Sequence, residues 1–70
     1  MTKTLEMLKD LQAYGHLVGD PEEAFKRIPR INRRILLCYF TKWQKYPEDK
    51  NLEYEFLERW QPVREFLENE

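Results

Sequence analysis

Apolar side chains recur along most of this chain at spacings of three and four, the period of helices that bury one face. Between Thr4 and Tyr14 the residues Leu5, Met7, Leu8, Leu11 and Tyr14 fall on one half of a helical wheel, with Glu6, Lys9, Asp10 and Ala13 opposite. Gly15 stands where such a helix closes in a left-handed cap. The run D-P-E-E from Asp20 to Glu23 opens a second helix. Asp20 caps its free amides, Pro21 suits a first helical position that needs no N–H donor, and Glu23 is placed to close a capping box. This helix presents Ala24, Phe25 and Ile28 inward and stops at Pro29, which is read as the first residue of a third helix.

The third helix, Arg30 to about Tyr46, is the most apolar. Ile31, Ile35, Cys38, Tyr39, Trp43 and Tyr46 make its predicted inward face, which Leu36 and Phe40 widen to half the wheel or more; Pro47 ends it. In the last segment the motif E-F-L-E occurs twice, ten residues apart. Ten residues return to a point about 80° short of a full turn, so the copies do not present equivalent faces. The continuous feature is the stripe Leu52, Phe56, Trp60, Val63 and Leu67, which predicts one amphipathic helix kinked at Pro62; the competing version breaks the chain at Gln61. The expected architecture is therefore all-α: a compact bundle or orthogonal cluster of about four helices, forming a single domain over residues 1–70.

Composition narrows this picture. Ten of the seventy residues are aromatic, large enough to build a core that a chain of this size otherwise barely supplies. The same narrow margin makes a homodimer an expected alternative. The single cysteine, Cys38, forms no internal disulfide, which points to a reducing, cytoplasmic setting. No apolar run approaches the ~18 residues of a membrane span, and the opening residues carry acids where a signal peptide is apolar, so no membrane association is expected.

Charge is segregated. Residues 1–25 carry two basic and five acidic side chains, residues 26–45 seven basic and none acidic, and residues 46–70 three basic and eight acidic. On the third helix Arg30, Arg33, Arg34 and Lys45 share a narrow polar side with Leu37 among them. Arg30 and Arg34 are one turn apart and repel by a few tenths of a kcal/mol unless an anion lies nearby. Acids of the last helix such as Glu55, Glu58 or Glu65 offer one source of neutralisation. The second is an acidic protein partner held by arginines around Leu37, with Tyr54 and Leu57 as further contacts. A third reading is nucleic acid: a short helix, a turn and a helix opening R-I-N-R-R outline a helix-turn-helix in residues 30–45. Against it, the pI is about 5.9, whereas nucleic-acid modules are normally basic.

An enzyme is not expected. His16 is the only histidine and there are two glycines, so the sequence holds no metal-spaced ligand set, no phosphate loop, no catalytic residues and no cofactor site. The leading expectation is a small non-catalytic regulator, adaptor or inhibitor that binds a larger protein through Arg30, Arg33, Arg34, Leu37 and Lys45.

Overall fold

The computed structural model describes residues 2–69, with Thr2 described in its backbone only. Its four helices are α1 (Thr2–Ala13), α2 (Pro21–Arg27), α3 (Arg30–Lys45) and α4 (Lys50–Glu68), and the described residues contain no strand. The chain is all-α, as its periodicity implies.

Local chemistry sets the helix ends. Gly15, at φ 85°, closes α1 in a Schellman arrangement: His16 N–H donates to the Leu11 carbonyl at 2.7 Å and Gly15 N–H to that of Gln12 at 3.1 Å, satisfying carbonyls the helix leaves open. Asp20 caps α2 by accepting from Glu22 N–H, and Asp49 caps α4 by accepting from Asn51 and Leu52. Ile28 is extended, the conformation favoured before a proline. Pro29 sits one position earlier than expected, as the N-cap of α3. Its ψ of 148° is extended, and its carbonyl accepts from Arg33 N–H at 3.0 Å. A proline has no side-chain acceptor, so α3 starts without a side-chain cap.

α4 runs unbroken through Pro62, and the predicted stripe holds: Phe56, Trp60, Val63 and Leu67 are buried and Leu52 is half-buried. Pro62 is exposed, so the amide hydrogen it lacks faces away from the core. From α2, Arg27 reaches the far end of α4, where Nη1 donates to the Leu67 carbonyl at 3.2 Å and Nη2 to that of Phe66 at 3.4 Å. The last turn of α4 contains no basic residue of its own. Arg27 thus places a cation at the negative end of the helix from another element.

One cluster of buried residues joins all four helices. Met7, Leu8 and Leu11 of α1 and Ala24 and Ile28 from the α2 region meet Leu36 and Phe40 of α3 and the α4 stripe. Phe40, Trp43, Phe56 and Trp60 form an aromatic seam between α3 and α4, with the Phe56 ring centroid 5.4 Å from Phe40, 5.7 Å from Trp43 and 6.3 Å from Trp60. Trp60 Nε1 donates to the His16 carbonyl at 2.9 Å, pinning the α1–α2 connection to the middle of α4.

Five residues expected to face inward lie exposed instead. Tyr14 is exposed beyond the end of α1, and the predicted face of α3 is turned by roughly a quarter of the wheel. Leu36 and Phe40 are buried while Ile31, Ile35, Cys38 and Tyr46 are exposed. α3 carries two overlapping apolar arcs, and aromatic area decides between them: Phe40 and Trp43 gain the rings of α4, and rings bury more area than isoleucine.

Candidate functional site: a basic cleft beside α3

The rotation of α3 sets where its cations go. With Leu36, Phe40 and Trp43 directed at the core, the side of α3 bearing Arg30, Arg33 and Arg34 falls against α1 and α2. There the three arginines, with Thr4 of α1 and Phe25 of α2, line a cleft of about 560 Å³. Arg30 and Arg34 are exposed, and Arg33 is half-buried. The Arg33 guanidinium carbon lies 4.1 Å from the centroid of the Phe25 ring, a cation–π contact worth ~0.5–2 kcal/mol. Its Nε is buried and has no hydrogen-bond acceptor, a deficit of about 1–3 kcal/mol when a donor is left unmatched.

No direct ion pair joins the acids of α4 to these cations. Among the described residues no carboxylate comes within 4.0 Å of Arg30, Arg33, Arg34 or Lys45. Glu58 faces Arg59 at 4.0 Å and accepts from the Tyr54 hydroxyl at 3.2 Å, while Glu65 accepts from Gln61 Nε2 at 3.2 Å. The reason is the same rotation: the aromatic seam occupies the α3–α4 contact, leaving the arginines on the opposite flank.

Five residues were grouped on the sequence; the structure brings together three, Arg30, Arg33 and Arg34. Leu37 is half-buried and packs against the core, because the inward face of α3 extends to its side. With Cys38, Thr41, Lys42 and Arg34 it lines a second depression, about 490 Å³, to which α1 adds Lys3. Lys45 lies about 16 Å along the helix from Arg34, at a rise of ~1.5 Å per residue, and takes no part in the cleft. The exposed apolar residue flanking the arginines is Ile31, while Ile35 lines a groove on the α4 side with Asn32, Glu58 and Pro62. Of the other suggested contacts, Tyr54 is exposed and Leu57 packs against the core.

The contributions of Thr4, Lys3 and Phe25 were missed, since nothing in a linear sequence marks which helix a charged side chain will face. The R-I-N-R-R segment also divides. Asn32 is half-buried on the other flank, lining a groove with Pro29, Pro62, Val63 and Phe66, so Asn32 and the arginines do not project from one edge.

The helix ends add to the positive field. Thr4 lies in the first turn of α1 and Arg30 and Arg33 in that of α3, and neither first turn contains an acid. Each helix N-terminus carries roughly half a positive charge. The cleft is therefore positive from both side chains and backbone. Among the described residues no group of three or more His, Cys, Asp or Glu is placed to hold a metal, and no helix is long and apolar enough to cross a membrane. No protein-family model, curated protein or solved structure matches this chain.

Proposed function

We propose that this protein is a non-catalytic interaction module that captures an acidic segment of a larger protein on the N-terminal half of α3. One observation carries the reading: three arginines from adjacent turns converge on a cleft that no carboxylate among the described residues enters. Ile31, exposed on the adjoining ridge, supplies apolar contact area beside the charges, the composition of protein-binding surfaces. A second copy that meets the first along α3 is a poor occupant. Residues 26–45 carry seven basic and no acidic side chains, so two copies meeting along α3 would set cation against cation. Helix-turn-helix recognition of nucleic acid is weakened by the separation of Asn32 from the arginines.

The test is fluorescence anisotropy with a labelled glutamate-rich peptide and, in parallel, a labelled DNA duplex. The peptide is expected to bind with an affinity that falls as salt rises. The double variant Arg30→Glu and Arg34→Glu is expected to lose this binding with its helicity unchanged. Peptide binding that survives the double reversal removes the site, and tighter capture of the duplex transfers the reading to nucleic acid.

A further inference from the structure

We infer that the group recognised in the Arg30–Arg33–Arg34 cleft is a phosphomonoester dianion, the side chain of a phosphorylated residue on the partner. This rests on the partner-binding reading above and narrows its chemistry.

Charge density is the first argument. A phosphorylated side chain concentrates roughly −1.5 to −2 charges and three acceptor oxygens in one compact group. Each guanidinium presents a planar fork of donors suited to pairs of such oxygens. A single glutamate, with one charge and two oxygens, engages one fork and leaves the other two arginines facing each other. The three arginines that line the cleft offer a phosphate's three oxygens more than one such fork.

The surroundings point the same way. The first turns of α1 and α3 both border the cleft; α3 starts without a side-chain cap, and free amides at a helix N-terminus favour phosphate. The Arg33 guanidinium, held 4.1 Å from the Phe25 ring centroid, is fixed before a ligand arrives, which lowers the entropy lost on binding.

A long polyanion is a poorer fit. The molecule measures 32 × 23 × 23 Å, against a screening length of about 8 Å at physiological salt. A nucleic-acid strand would leave the basic locus and meet the acidic parts of the chain; residues 46–70 alone carry eight acidic and three basic side chains. One phosphorylated side chain stays within the local positive field.

The experiment compares three labelled peptides of one glutamate-rich sequence, differing at a central serine, phosphoserine or glutamate, bound to the full chain at about 0.15 M salt. The phosphoserine peptide is expected to bind ~10-fold more tightly than the glutamate peptide, since charge-assisted, forked bonds are the stronger ones. Its affinity is expected to rise severalfold between about pH 5.5 and about pH 7.5, as the phosphate takes its second charge with a pKa of about 6. The charged groups bordering the cleft are Arg30, Arg33 and Arg34, with Lys3 and Lys42 along the adjoining depression. The only histidine, His16, lies in the α1–α2 connection, its carbonyl held by Trp60 of α4.

Arg30→Gln with Arg34→Gln, both at exposed positions, is expected to reduce the phosphoserine peptide to the affinity of the glutamate peptide. Equal binding of the phosphoserine and glutamate peptides overturns the phosphate inference and leaves the acidic-partner reading standing. No binding of any peptide removes both. Inorganic phosphate binding as tightly as the phosphopeptide reassigns the cleft to a free phosphate ligand, and single-stranded DNA binding more tightly reassigns it to nucleic acid; either overturns the inference.

Discussion

Replacing Arg30 by glutamate is expected to stabilise the fold while destroying the proposed site. Arg30 opens α3, an end whose partial positive charge disfavours cations and favours anions by about 0.3–1 kcal/mol. It also stands one turn before Arg34, and no carboxylate among the described residues lies within 4.0 Å of either. Arg30→Glu removes a like-charge pair and creates a glutamate-to-arginine pair in the favourable order, each change worth about 0.2–0.5 kcal/mol. With the dipole contribution the expected gain is about 1–2 kcal/mol, or roughly 4–16 °C in Tm for a domain of this size. Thermal unfolding followed by circular dichroism at low salt measures it directly. In about 1 M salt, where the screening length shrinks to ~3 Å, the gain should fall to less than half. Arg30→Gln should give about half the low-salt gain, because it removes the cation without adding an anion. An unchanged or lowered Tm for Arg30→Glu at low salt, with helicity intact, would mean that the arginines are already neutralised inside the fold. The argument for an anionic ligand would then fail. A higher Tm coupled to lost binding is the signature of a residue retained for recognition at the expense of stability.

Three further outcomes follow from the packing. Phe56→Ala should cost about 3–5 kcal/mol; a chain of this length typically has only about 4–10 kcal/mol in total, so urea titration should find the variant largely or wholly unfolded. Pro62→Ala should restore a donor to the Glu58 carbonyl on an exposed face and raise the urea midpoint by an amount equivalent to about 1–3 kcal/mol; a lowered midpoint would show that the proline geometry is needed for the α3–α4 fit. Asp49→Ala leaves the amides of Asn51 and Leu52 without their acceptor and should cost about 0.5–2 kcal/mol in the same titration, while Asp49→Ser should recover most of the loss.

The sequence by itself determined the helices and most of their ends, because those depend on neighbours a few residues apart. The Asp20 cap and Pro21 start of α2, the glycine that closes α1 and the stripe from Leu52 to Leu67 are all local, and all appear in the structure; the Glu23 half of the expected capping box does not form. The segregation of charge was equally plain, since residues 26–45 hold seven basic and no acidic side chains. Only the tertiary structure decided which way α3 faces. Its apolar residues admit more than one inward arc, and the choice between Ile31 with Ile35 and Leu36 with Phe40 depends on Phe56 and Trp60, rings well removed in sequence. That choice buried the flank of Leu37, exposed the isoleucines, and turned the arginines away from the acids of α4 toward Thr4 and Phe25. A periodic pattern specifies a buried stripe wherever one arc is uniquely apolar. Where two arcs compete, the packing partner with the larger area to bury selects one, and the position of the charged residues follows from it.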